Sequence, residues 1–571
     1  MRLHFRLLLL LPVAVVAGCA PSTPPVSPAT LLLRNGHIVT MDRERPTAQA
    51  LAIRQDRIVA VGTDEAVAAY IGPETTVIDL AGQTAVPGLI EGHGHFLGLG
   101  QSRMVLDLMD MTSYDEVVAA VATAVTSAAP GAWIQGRGWH QEKWATAPVP
   151  AVEGFPVHDA LSAVSPDHPV ILEHASGHAV LANARAMALA GVTASTRAPA
   201  GGDILRVRGG QPSGIFRETA SGLIEQARDR WQAARTPDER RAEMQRQVTL
   251  AAQTAIEHGI TSFQDAGSSL ETVSLFKQMA RDGLLGVRLW VMVRDTNERL
   301  RARLPQERVL GMAEQRLTVA AIKVTADGAL GSRGAWMLDP YSDAPGRTGL
   351  STVPMAQIAE TAAIAADTET QLAVHAIGDR ANRETLDVFE AAFRAHPERS
   401  DWRWRIEHAQ HVSPADVPRF AQLGVIASMQ GIHATSDAPY VLARLGPERA
   451  EAGAYVWKAF LDAGVMVSNG TDVPVERIDP IANFHATVTR RTRDGSVFYG
   501  DQRMTREQAL RSYTWNAAYA AREEAIKGSI AVGKLADITV LSQDLLTVPD
   551  EALLNTRVVK TIVGGKVVYE Q

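Results

Sequence analysis

Eight short apolar runs, each separated from the next by amphipathic helical stretches, constrain this chain more than any other feature. They lie at 88–95, 260–264, 287–293, 319–326, 372–376, 404–409, 425–429 and 465–472. A helix between two strands returns the chain to the same end of a sheet, so strands linked this way run parallel, and eight such units predict an α/β fold of the (β/α)8 TIM-barrel type. Helix starts support the pattern: Ser113 with Glu116, and Thr236 with Glu239 behind Pro237, have the spacing of capping boxes. The interval 98–234 is too long for one strand-to-helix connection and predicts a subdomain inserted after the first strand, over the barrel mouth.

The two ends have a different texture. Short alternating runs fill 31–87, with a turn at Asn35-Gly36, and return within 526–571, where Gly564-Gly565 separates two Val-rich runs. Both ends are expected to build one composite β-sandwich of antiparallel strands beside a barrel spanning 88–525. A chain of 571 residues exceeds what one core normally serves, which agrees with this division.

Composition removes several function classes. Lys and Arg number 56 against 63 Asp and Glu, a net charge of −7, so no basic field exists for gripping nucleic acid. The single cysteine excludes intrachain disulfides, CxxC redox pairs and thiolate zinc sites. That cysteine has a place of its own. Arg2 and Arg6 precede an apolar stretch, 7–16, too short to span a bilayer, and Val16-Ala17-Gly18-Cys19 resembles a bacterial lipobox. Residues 1–19 are therefore expected to be a lipoprotein signal peptide with Cys19 as the lipidated residue, and 20–30, rich in Pro and Ser, a flexible tether. Ala20, rather than Asp, after the cysteine resembles the outer-membrane sorting pattern, which predicts a lipid-anchored protein of the bacterial envelope on the periplasmic face. A general secretory signal with an incidental cysteine is the plainer reading.

The strand ends carry the chemistry. His93 and His95 alternate with Gly92 and Gly94, so both imidazoles point the same way, towards an ion or simply towards hydrogen-bond partners. His375, His408 and Asp472 close three further strands, and in a parallel barrel all these ends form the face where catalytic groups gather. Lys323 lies inside an apolar strand. Either it snorkels to an acid or it is desolvated, neutral and able to take up carbon dioxide as a carbamate that bridges two metals.

Taken together, His93, His95, Lys323, His375, His408 and Asp472 resemble the metal ligands of strands one, four, five, six and eight in the amidohydrolase superfamily. The text around them is most like the amidohydrolase 3 group of YtcJ-like proteins and N-substituted formamide deformylases: Val86-Pro87-Gly88 through His95-Phe96, Asp327-Gly328-Ala329-Leu330-Gly331-Ser332-Arg333, His375 through Asn382, and Gly528-Ser529-Ile530 with Gly533-Lys534-Leu535-Ala536-Asp537. The resemblance covers roughly residues 31–571 and implies a divalent metal, usually zinc, with two ions if Lys323 is carbamylated. It implies hydrolysis of a small non-peptide amide or formamide C–N bond by metal-activated hydroxide, since a metal brings the pKa of water down towards about 7. Asp472 would then shuttle the proton to the leaving nitrogen. Two other readings stay open: deamination of a ring amidine, and a substrate-binding lipoprotein on an enzyme scaffold.

Other residues are candidates for substrate contact. His178 resembles the pocket histidine of the superfamily, Arg333 and Asp379 follow strands four and five at the mouth, and Trp139 belongs to a tryptophan cluster in the insertion that is otherwise plain core. Alternation with His408 predicts that Glu407 faces the surrounding helices, and neither it nor His411 is expected to be a ligand.

Overall fold

A computed structural model describes residues 27–571; Cys19 and the signal-peptide segment lie outside the described residues. All eight expected barrel strands are present: β1 (Leu89–Gly94), β2 (Ile260–Ser268), β3 (Arg288–Val293), β4 (Leu317–Thr325), β5 (Gln371–Ala376), β6 (Arg405–His408), β7 (Ile426–Met429) and β8 (Val467–Asn469). They pair in parallel in that order. The β8–β1 seam is drawn together past the strand ends, where the Asp472 amide donates to the His93 carbonyl at 2.8 Å and the Thr471 amide to Glu91 Oε1 at 2.6 Å. Glycine is required here, because a Cβ on Gly92 would stand 2.3 Å from the Asn469 carbonyl oxygen. Close approach of two backbones is what Gly92 serves.

Alternation sorts each strand into an outward apolar set and an inward polar one. Val319, Ile322, Leu372, Val374 and Ile406 join the core under the helices. Inside, Ala321, Ala373, Trp290 and Met292 pack together below the site. Lys323 lies beside Ala373, and His375 lies beside Glu407 in the ladder, so each polar residue stands one step above the interior plug on its own strand.

The chain ends form two facing sheets, one of four strands (Arg57–Gly62, Ala50–Arg54, Leu31–Arg34, Thr76–Asp79) and one of six that interleaves Thr84–Pro87 with Ile538–Leu541 and Val558–Val563. Leu33, Ile53, Ile58, Ile538 and Ile562 fill the space between them. These sheets are mixed rather than antiparallel throughout: Leu31–Arg34 runs parallel to Thr76–Asp79, and His37–Val39 parallel to Thr84–Pro87. The chain switches layers between those strands, and a crossover of that kind returns it in the same direction.

The insertion is a six-stranded mixed sheet from Leu106–Asp107 to Pro212–Glu218, capped by helix Ser221–Ala233. The Thr236–Glu239 capping box is complete with Pro237 behind it. At Ser113 only half the box forms, because the Glu116 carboxylate turns back to Thr112 instead.

Candidate metal centre and cavity

The seam between β1 and β8 brings three of the expected residues together. Asp472 Oδ1 lies 3.5 Å from His93 Nε2 and 3.3 Å from His95 Nε2. Asp472 reaches this position through a left-handed backbone, φ +59°, which turns its carboxylate back over the mouth just beyond the strand. The neighbouring imidazoles outweigh burial and hold its carboxyl well below the usual range, so it is ionised.

On β6 the expected facing of Glu407 is reversed. Arg405 and Glu407 both point inward and are fully buried, with Arg405 donating to Glu407, Gln264 and the Gly92 carbonyl. Glu407 also accepts from Nδ1 of His93. Burial pushes Glu407 up, but Arg405 and His93 prevail and keep it ionised. His408, which alternation would send outward, has φ +74°. The strand ends there, and the left-handed turn brings the ring back over the site, 4.7 Å from that of His93 and 4.5 Å from that of His375. Gln430 Oε1 accepts from its Nδ1 at 2.8 Å.

Lys323 and His375 complete the group. Lys323 is buried, opens onto the cavity, and burial lowers its ammonium pKa from 10.5 to about 8. The loop beyond β4 holds His375 in place: Asp327 accepts from the amides of Ile377 at 3.0 Å and Gly378 at 2.8 Å, and its Oδ1 lies 3.6 Å from His375 Nε2. Burial keeps His93, at about 4, and both His375 and His408 neutral at physiological pH.

A divalent cation fits this donor set. His93 Nε2, His375 Nε2 and Asp472 Oδ1 are sealed from solvent without a hydrogen-bond partner. Each such orphan costs about 1–3 kcal/mol unless something binds it. Neutral imidazoles and an ionised carboxylate are the ligand types zinc takes. Two overlapping triads have donor atoms close enough to share an ion: His93, His95 and Asp472, and His408, His433 and Asp472. His433 was not singled out from the sequence. It lies four residues past β7 in the first turn of helix Gly431–Leu445, with Nε2 buried, unpartnered and 4.0 Å from Asp472 Oδ2. Its position after a barrel strand was the available signal.

His95, Lys323, His375, His408, His433 and Asp472 form the floor of a cavity of about 690 Å³ roofed by the insertion. His178 hangs from that roof. Its ring centre is 5.2 Å from that of His375, and its Nδ1 donates to Glu218 Oε2 at 2.7 Å. Burial opposes its charge, but Glu218 prevails and raises its pKa above 6.5. Three other candidates do not reach the cavity. Arg333 pairs with Asp343 at 2.9 Å, Asp379 accepts from the Leu338 amide at the start of its helix, and Trp139 is core, with Nε1 donating to the Leu172 carbonyl. His411 is buried away from the cavity, beside Tyr455.

Comparison with known proteins agrees with this geometry. The amidohydrolase family model matches residues 76–569. The protein LONG AFTER FAR-RED 3 of Arabidopsis thaliana is 32% identical, over 96% of this chain and 93% of its own length. The N-substituted formamide deformylase of Arthrobacter pascens is 28% identical, over 95% and 98%. Among solved structures, an uncharacterized metal-dependent hydrolase from Pyrococcus furiosus superposes with a TM-score of 0.70 at 26% identity, covering 90% of this chain and all of the other.

Proposed function

Because the chain belongs to the amidohydrolase family, we propose that it hydrolyses the C–N bond of small amides, with N-substituted formamides and acyl amines as the substrate class. The observation that carries this is the set of sealed, unpartnered donors on His93, His375 and Asp472 beside a desolvated lysine. His93, His95 and Asp472 would hold one zinc ion, with His375, His408 and a carbamylated Lys323 holding a second. Bound there, the metal supplies an activated water and polarises the scissile carbonyl.

The chain's own residues supply the remaining steps. Asp472, ionised and facing the cavity, takes the proton of the attacking water at Oδ and returns it to the leaving nitrogen. His178, whose protonated form Glu218 favours and orients, directs a hydrogen bond at the oxygen where negative charge develops. The insertion's roof limits bulk water at the reacting carbon. A small-molecule substrate enters the cavity, and the net charge of −7 argues against nucleic acid as a partner. The lipobox-like Val16-Ala17-Gly18-Cys19 supports placing the reaction at the cell envelope, with a lipid anchor on the membrane. Among the described residues no helix is long and apolar enough to cross a membrane.

The test is turnover of a panel of N-substituted formamides and acetamides by protein of known metal content. Chelator-sensitive hydrolysis restored by zinc and lost in Asp472→Asn upholds the proposal. Full metal occupancy without turnover of any amide overturns it and favours a binding role.

A further inference from the structure

We propose that the cavity contains an anion subsite formed by Arg294, and that the amide substrate presents a carboxylate to it. This rests on the hydrolytic reading above and adds a substrate class to it. Arg294 follows β3 directly, and its amide donates to the Ser268 carbonyl at 2.9 Å, tying the ends of β2 and β3. Its side chain then runs past Gly267 towards the metal-site lysine. A Cβ on Gly267 would lie 3.3 Å from Arg294 Cδ and 3.4 Å from Lys323 Cγ, so the missing side chain is what lets both stems pass. Gly267 has φ +132°, a conformation other residues rarely take.

The guanidinium has no hydrogen bond or ion pair among the described residues and lines the cavity. Its neighbours are engaged elsewhere. Arg228 pairs with Asp229 at 2.9 Å and is the main cation acting on Glu225; Asp295 accepts from the Thr296 amide and faces Arg299 at 3.4 Å; Asn297 binds Thr361 and Glu360. Glu225 is the acid whose charge acts on the Arg294 guanidinium. Arg294 is exposed on the cavity wall, and an unpaired cation there attracts an anion because the low-dielectric walls focus its field. Its planar fork matches a carboxylate with two parallel hydrogen bonds. A monoanion suits the surroundings better than a phosphate dianion, since Glu225 and Asp295 line the same end.

The test uses N-formyl ω-amino acids of two to six carbons, each against its primary carboxamide, so that one member spans the distance from the metal centre to Arg294. For that member the acid is expected to exceed the carboxamide in kcat/KM by about 10- to 100-fold, the worth of a charge-assisted hydrogen bond. Arg294→Gln is expected to collapse that ratio to near one, and Arg294→Lys to restore part of it. Turnover of acids and carboxamides at equal rates throughout the series overturns the subsite while leaving amide hydrolysis intact. An unchanged ratio in Arg294→Gln, with altered metal content, also overturns it and makes Arg294 a support for Lys323. If no member is hydrolysed, the functional reading fails separately. Calorimetric binding of the same acids and carboxamides to zinc-loaded protein then decides the subsite: tighter binding of an acid that depends on Arg294 upholds it, and equal binding overturns it.

Discussion

His93 and Glu407 share a buried hydrogen bond across the barrel, from its first strand to its sixth, in which imidazole Nδ1 donates and the carboxylate accepts. That bond sets the tautomer, leaving Nε2 bare towards Asp472, and Arg405 holds the carboxylate from the other side. The link between Arg405, Glu407 and His93 therefore orients the His93 ring and also neutralises a guanidinium buried in the barrel.

Replacing Glu407 separates those two duties. Glu407→Gln keeps an acceptor for His93 but removes the charge, and metal affinity is expected to fall about 10- to 100-fold, read by competition with a chromogenic chelator. Glu407→Ala also strands Arg405 and is expected to cost about 3–5 kcal/mol of stability, read by denaturant unfolding. Equal metal affinity in all three proteins would separate Glu407 from the metal centre.

Lys323 gives a prediction in metal stoichiometry. With a pKa of about 8, an appreciable fraction of its amine is neutral near physiological pH, and that form reacts with carbon dioxide, losing a proton to become a carbamate. Apoprotein reloaded with zinc is expected to bind two equivalents faster as bicarbonate and pH rise through about 8. Lys323→Ala is expected to retain about one ion and lose about 100-fold or more in kcat, with partial rescue by formate or acetate. Two ions in Lys323→Ala would show that the lysine is not a bridge.

What the sequence made legible was whatever follows from period and position. Eight strand ends, the composite β-domain and the roofing insertion were all readable because parallel barrels place strand ends on one face and because long gaps must fold. The errors came from single residues whose backbone leaves the regular region. Glu407 faces inward against expectation, and His408 keeps its expected place at the site only because it adopts φ +74°, a turn that two-residue alternation cannot anticipate. His433 escaped notice because it lies on a helix rather than a strand, and Arg294 because its meaning comes from what it lacks. Arg333, Asp379 and Trp139 were placed near the mouth by sequence order, whereas nearby partners hold each one away from the cavity.

The envelope assignment is tested at Cys19. Full-length protein expressed in a Gram-negative host is expected to incorporate labelled palmitate and to fractionate with the outer membrane, and Cys19→Ser to remain unlabelled. Labelling of both proteins, or of neither, would remove the lipid anchor.

His411 isolates the effect of acid on the fold. Burial alone lowers its pKa from 6.5 to about 3, so the folded chain keeps the ring neutral while the unfolded chain binds a proton below 6.5. The unfolded state then holds more protons between those limits, and stability falls as pH falls, by about 1.4 kcal/mol per unit. His411→Gln removes that slope. Relative to wild type it is expected to gain about 2–3 kcal/mol on going from pH 7 to 4.5, measured by urea unfolding of metal-free protein. Parallel pH profiles for the two proteins would contradict the buried neutral ring.

The pH profile of turnover tests His178. If the protonated ring stabilises the developing oxyanion, activity falls as pH rises through its raised pKa, which Glu218 supports by accepting from Nδ1. Glu218→Gln weakens that support, so the alkaline limb is expected to move to lower pH, with a drop in kcat of about 10- to 100-fold near neutrality. His178→Ala removes the donor altogether and is expected to lose about 100- to 1,000-fold in kcat, with little change in KM, because the hydrogen bond strengthens only as the oxygen becomes charged. A structural role would lower folded yield or metal content without moving the limb. An alkaline limb at the same pH in wild type and Glu218→Gln would assign that ionisation to another group and leave His178 as a positioning residue in the roof.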